Sequence, residues 1–263
     1  MEIMPLQTFH AGNLEVRIFA TRAEMGAAAA AAGAASIAEI LSRQPLAKVI
    51  FASAPSQNEF LAGLLAHPEI DWARVEAFHM DEYLGLDGDH PASFRRFLRD
   101  RLISHVPVRA FHELNGNTFD WRVEADRYAT LLAEARPDMV ALGIGENGHL
   151  AFIDPPVCDF KDQHVVRRVD LEEVCRRQQV HDGMFARLED VPEQALSLTI
   201  PVFMRTPRVI GIVPGPTKAR AVKAALEGPI TEACPASILR RHPNATLFLD
   251  ADSAALLSPG AAC

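Results

Sequence analysis

Between Asp138 and Pro156 the chain reads DMVALGIGENGHLAFIDPP, and Glu146, Asn147, His149 and Asp154 crowd a loop that opens at Gly143 and Gly145. An imidazole can give and take a proton near neutral pH, and a carboxylate returning onto its second nitrogen fixes its tautomer. His149 with Asp154 therefore reads as a proton-shuttling pair with Asn147 beside it; a satisfied turn histidine is the plain alternative. Asp81 and Glu82 end a second apolar run, so at least one carboxylate should face the same crevice, where a raised pKa would suit it to act as a base. Capping of the following loop is the plain alternative for Asp81.

Two further stretches suit an anion. Ser53-Ala54-Pro55-Ser56-Gln57 stands between a strand and a helix, where amides and hydroxyls gather at a positive helix end; an ordinary N-cap by Ser53 or Ser56 explains the same pattern. Pro214-Gly215-Pro216-Thr217-Lys218 offers amides and one cation at a helix start, and a lysine there needs a compensating anion. Ser53, Ala54, Ser56, Glu82, Gly148 and Lys218 make up the candidate substrate-binding set, and Asp81, Asn147, His149 and Asp154 the candidate catalytic set.

The elements that must position these residues alternate strand-like and helix-like along the chain. Strands are expected at 14–19, 47–52, 75–80, 139–144, 195–200, 209–213 and 245–249. Helices are expected in the alanine-rich stretch from Met25, through Phe60 to Leu65, around the arginines at 95–101, over 120–135, near 171–179 and through Val222 to Leu226. The order implies an α/β fold, one domain with a mostly parallel Rossmann-like sheet and helices on both faces, and functional loops at the strands' C-terminal ends. Residues 157–190 are polar and weakly periodic, as expected of an excursion or lid over the site. Asp250 and Asp252 read as polar loop residues without a role.

The 263 residues, 49% of them hydrophobic and 23% charged, suit a soluble globular protein. A net charge of −8 and a broken arginine cluster argue against nucleic acid or an anionic membrane as a partner. The alanine-rich stretch reads as a packed helix rather than a membrane span. Cys158, Cys175, Cys234 and Cys263 form no CxxC pair and have no histidine at metal-ligand spacing, which fits free thiols in a reducing cytoplasm and no bound metal.

FHMDEYLGLDGDHPASF (78–94), LGIGENGHLAFIDPP (142–156), GPTKARAVKAAL (215–226) and ASILRRHPNATLFLD (236–250) together resemble the glucosamine-6-phosphate deaminases, in order and over roughly residues 15–255. The resemblance implies isomerisation of an open-chain 2-amino sugar 6-phosphate followed by loss of ammonia to give fructose 6-phosphate, with no metal or organic cofactor. It implies that Asp81 moves a proton between C2 and C1, His149 shuttles a proton at the ring oxygen, Asp154 supports His149, and Lys218 holds the phosphate. A homo-oligomer is compatible with it.

The resemblance departs in three places. ASAPSQNEF (52–60) carries no glycine where the family has a Gly-rich phosphate loop, Asp154 stands where the family usually has glutamate, and the phosphate-binding arginine has only Arg176 and Arg177 as candidates. Two of these touch phosphate recognition, so the expectation is an amino-sugar deaminase whose phosphate dependence is weakened or whose sugar differs. The related 6-phosphogluconolactonases and the sugar-phosphate sensors of the same fold are the alternatives; FHMDEYLGL and LAFIDPP side with the deaminases.

Overall fold

The computed structural model describes residues 3–258. Its strands are β1 (Gln7–Ala11), β2 (Leu14–Phe19), β3 (Ala47–Phe51), β4 (Val75–His79), β5 (Asp81–Tyr83), β6 (Ala110–His112), β7 (Met139–Leu142), β8 (Val166–Asp170), β9 (Gln194–Leu198), β10 (Arg208–Val213) and β11 (Ala245–Asp250). Its helices are α1 (Arg22–Arg43), α2 (Asn58–Leu65), α3 (Phe94–Arg101), α4 (Trp121–Ala135), α5 (Glu173–His181), α6 (Ile200–Arg205) and α7 (Ala219–Glu227). Every strand and helix expected from the sequence is present, most of them shifted at the ends by a few residues.

Eight strands form one sheet in the order β1-β2-β11-β10-β7-β3-β4-β6, parallel throughout except for the β1–β2 hairpin. The apolar runs of its central strands bury both faces, since successive side chains point to opposite sides. Ile50, Val140 and Val209 enter one core with Leu132, Val222 and Leu198, whereas Val49, Phe51, Met139 and Ile210 enter the other with Met25, Ile37 and Phe60. The chain winds outward through β3, β4 and β6, returns to the middle at β7, and winds the other way through β10 and β11. The reversal at β7 opens a crevice at the C-terminal ends of its neighbours.

The expected mostly parallel sheet is present, and a second, smaller sheet stands beside it. β9 does not join the large sheet but pairs antiparallel with β5 and β8 in a separate three-stranded sheet. β5 follows β4 after one residue, so the chain leaves the large sheet at Met80 and carries Asp81 with it. Residues 157–190 are likewise more than an excursion. Val166, Val169, Leu171, Cys175 and Phe185 are buried in a core cluster, so β8 and α5 are packed elements, and α5 also walls the site.

α1 is a core helix. A capping box of Thr21 and Glu24 starts it, and Ala29, Ala30, Ala34 and Ile37 are fully buried. A Cβ on Gly26 would come within 2.3 Å of the Glu59 Cβ and one on Gly63 within 2.5 Å of the Ala30 Cβ, so glycine lets α1 and α2 touch. The helix runs 22 residues, longer than the alanine-rich stretch itself and apolar enough by composition to cross a membrane, yet its small-residue face packs on the protein's own core.

Candidate active site

The crevice at β7 is a cleft that opens to solvent. Ala52, Ser53, Ala54 and Ser56 after β3, Met80 and Asp81 after β4, Gly143, Ile144, Gly145 and His149 after β7, and Lys218 after β10 all line it. Ala151, Phe152 and Phe94 close one wall, and Gln178 and Gln179 on α5 close another. Four strand ends thus deliver the acid, the imidazole, the cation and the hydroxyls to one place.

His149 is 6% exposed and packs directly over Gly145. A Cβ on Gly145 would lie 2.2 Å from the ring's Cε1 and Nε2, so only glycine leaves room for the imidazole. The turn is held from both sides: the Gly145 amide donates to the His149 carbonyl at 2.9 Å and the Gly148 amide to the Gly145 carbonyl at 3.0 Å. Nδ1 of His149 lies 3.0 Å from Oδ1 of Asp154, an ion-pair distance when the imidazole is protonated, although it makes no hydrogen bond of its own. Asp154 is nearly fully buried. Desolvation pushes its pKa up, but His149, the Asn147 amide and the Glu172 backbone together hold it below the usual carboxylate value.

Asn147 does not line the cleft. Its Nδ2 donates to Asp154 Oδ1 at 2.8 Å and its Oδ1 accepts from the His149 amide at 3.1 Å, so it orients the pair from behind rather than acting on a substrate. Gly148 is likewise outside the lining. Its φ of +87° and the Cys234 sulfur, 2.9 Å from where a Cβ would sit, make it a turn residue.

Asp81 faces the cleft at 6% exposure, and burial, then the neighbouring Glu82 charge, raises its pKa well above the ordinary value. Glu82 points the other way, contrary to its placement in the substrate-binding set. Its carboxylate accepts from Ser93 Oγ (2.8 Å), the Phe94 and Arg95 amides (3.2 and 3.1 Å) and Arg95 Nε (3.0 Å), capping α3 inside the core. Neighbours on a strand face opposite sides, and the sequence does not say which acid takes which. His79 adds a support that sequence reasoning missed: its Nδ1 lies 3.0 Å from the Asp81 carbonyl and its Nε2 accepts from the Leu114 amide at 2.8 Å. Burial lowers its pKa to about 3, so it stays neutral and fixes the Asp81 backbone.

Lys218 is 5% exposed, and desolvation lowers its pKa. The charges of Asp182, Glu146 and Cys175 oppose that shift, but among the described residues none forms an ion pair with the ammonium, so it is a buried cation with room for an anion. Two supports of this wall had no sequence signal. Asp250 is buried and takes the Gly215 amide on both oxygens at 3.0 Å, which corrects its reading as a loop residue without a role. Gln57 donates to Ser56 Oγ (3.1 Å) and the Ile212 carbonyl (3.2 Å), tying the loop after β3 to β10. Ser53 Oγ is buried without a partner.

Neither arginine candidate reaches the cleft. Arg176 donates to the Leu188 and Val191 carbonyls at 3.0 Å, and Arg177 pairs with Glu173. Gln178 and Gln179 stand on that wall instead.

The fold also gathers what linear spacing kept apart. His149, Asp154 and Cys175 bring one ligand atom each within 4.8 Å of one another, a group among the described residues that could hold a metal ion. Cys158, Cys175 and Cys234 are free thiols, and Cys263 lies outside the described residues.

Residues 20–248 match the family model of glucosamine-6-phosphate isomerases/6-phosphogluconolactonase. The chain belongs to this family. It is 36% identical over 190 residues to the glucosamine-6-phosphate deaminase of Bacillus cytotoxicus, covering 72% of this chain and 71% of the relative. With the Exiguobacterium sibiricum deaminase it shares 37% over 189 residues, covering 72% and 73%. The solved structure of a monomeric glucosamine-6-phosphate deaminase superposes with a TM-score of 0.84 at 29% identity, over 92% of this chain and 99% of that one. The 6-phosphogluconolactonase of Trypanosoma brucei shares the fold, with a TM-score of 0.75 at 20% identity over 92% and 98%.

Proposed function

We propose that this family member is a deaminating aldose–ketose isomerase that converts glucosamine 6-phosphate and water to fructose 6-phosphate and ammonia, working without a metal or organic cofactor as a cytoplasmic enzyme of amino-sugar catabolism. The supporting observation is that a carboxyl with a raised pKa, a histidine backed by a buried aspartate, and a buried cation with no bonded carboxylate among the described residues face one cleft.

Each group has a matching task. His149 gives a proton to the ring oxygen as the anomeric hydroxyl loses one, opening the sugar, and the Asp154 carboxylate stabilises the imidazolium between the two transfers. The substrate's 2-ammonium group, entering beside Asp81, favours its carboxylate form. That carboxylate takes the proton from C2 to leave an enolamine and returns it to C1, giving a 2-imino ketose. Water adds at C2, the C–N bond breaks, and ammonia leaves behind the ketone. Lys218, with Ser53, Ala54 and Ser56, holds the phosphate and so fixes C1 and C2 against Asp81. The glycine-free loop after β3 and the glutamines on α5 leave Lys218 as the cleft's lysine or arginine among the described lining residues, which supports weaker phosphate dependence than an arginine-bearing site would have.

The test is release of ammonia and fructose 6-phosphate from glucosamine 6-phosphate, run beside free glucosamine and 6-phosphogluconolactone. Stoichiometric release of both products supports the assignment, and appreciable turnover of free glucosamine supports relaxed phosphate dependence. Hydrolysis of the lactone alone would replace the assignment with a lactonase.

A further inference from the structure

We propose that His149, Asp154 and Cys175 form a binding site for a thiophilic divalent cation such as zinc, and that its occupation switches the enzyme off. The three ligand atoms already stand within 4.8 Å of one another and are all buried, so little rearrangement is needed to close them on one ion. Nδ1 of His149 is buried with no hydrogen bond of its own, although 3.0 Å from Asp154 Oδ1. The Asp154 carboxylate is oriented by the Asn147 side chain at 2.8 Å and the Glu172 amide at 3.3 Å, the outer support that metal-binding carboxylates have. His149 also lines the cleft, which gives the ion a way in and a water for its fourth position.

Charge and softness choose the cation. A neutral imidazole, a carboxylate and a thiolate balance two positive charges, so the buried complex carries no net charge. At rest Cys175 is a free thiol. On binding, the S–H bond breaks, the sulfur–metal bond forms and the proton leaves to solvent. One nitrogen, one oxygen and one sulfur donor suit zinc, cobalt or cadmium and not magnesium or calcium, which take oxygen shells. Because His149 and Asp154 are the proton-shuttling pair of the proposed reaction, the occupied site cannot turn over. The inhibition rests on that assignment, but the binding does not.

The experiment uses the full chain. Cobalt(II) is titrated while the thiolate-to-cobalt charge-transfer band is followed, and zinc is titrated against turnover of glucosamine 6-phosphate. The expected result is one equivalent of cobalt developing the band, zinc suppressing turnover with recovery on adding a chelator, and magnesium without effect. Cys175→Ser and Cys175→Ala should keep metal-free turnover, lose the band, and need more than about tenfold more zinc for the same inhibition. The Cys158→Ser/Cys234→Ser double variant should behave as the parent. Absence of the band in the parent protein, or a band and inhibition that persist in both Cys175 variants, would overturn the site. The band is read without catalysis, so a protein inactive on glucosamine 6-phosphate that still shows it retains the metal site and loses the deaminase assignment.

Discussion

Gly145→Ala isolates the placement of His149 from every other property of the site. Gly145 has no left-handed backbone to strain, and its amide and carbonyl are fixed by the His149 carbonyl and the Gly148 amide at 2.9 and 3.0 Å. A methyl on it would stand 2.2 Å from the imidazole Cε1 and Nε2, about 1.3 Å short of the roughly 3.5 Å at which carbon atoms pack. The backbone cannot retreat, so the ring must swing away from Asp154 by more than an ångström. A displacement of that size costs on the order of 100-fold in rate, equivalent to about 2.7 kcal/mol of barrier. Stability should change little, because a side-chain rotation relieves the clash. The assay is kcat for fructose 6-phosphate formation, with thermal melting to confirm folding. His149→Ala should lose at least as much, and adding Gly145→Ala to it should cost nothing further, since the two act through one ring. A folded Gly145→Ala protein with kcat within threefold of the parent would refute the idea that this imidazole is held in place by the missing side chain.

Three other substitutions separate roles that adjacent residues share. Asp81→Asn should abolish turnover yet raise the melting temperature at pH 8. The folded-state pKa of Asp81 lies above that of the unfolded chain, so the stability tied to its protonated form is whole below the unfolded value of about 3.9 and is lost as pH rises through the folded value; the two proteins should converge near pH 4, and an unchanged melting curve at pH 8 would count against a buried, raised-pKa acid. Glu82→Ala should act on stability instead, costing about 3–5 kcal/mol in denaturant titration because Arg95 is left buried without its carboxylate. Lys218→Met should raise KM for glucosamine 6-phosphate by about 10–100-fold, the worth of a charge-assisted contact, while leaving turnover of free glucosamine unchanged. Since burial lowers the pKa of Lys218, the parent's kcat/KM should fall as pH rises through a value below the ordinary lysine range, and that limb should be absent in the variant.

Much of this molecule is written locally. Apolar runs that end in glycine or polar turns give the strands and their C-terminal loops, and the alternation with helical segments gives a parallel sheet, because both follow from periodicities of a few residues. That Asp81, His149 and Lys218 line one cleft was legible because an acid, an imidazole and a lysine stand in the loops that follow such strands. What tertiary structure decided depends on partners distant in sequence. Strand pairing put β9 with β5 and β8 instead of in the large sheet. The pleat sent Asp81 to the cleft and Glu82 to cap α3, a choice between neighbours of the same chemistry. Asp250, Gln57 and His79 serve the site through backbone groups, which carry no sequence signature until the chain is folded. Cys175 meets His149 and Asp154 only because α5 packs across the cleft, 21 residues beyond Asp154 in the chain. Residue type and local period determined which chemistry the chain carries; long-range packing determined which of those residues share a site and which hold it together.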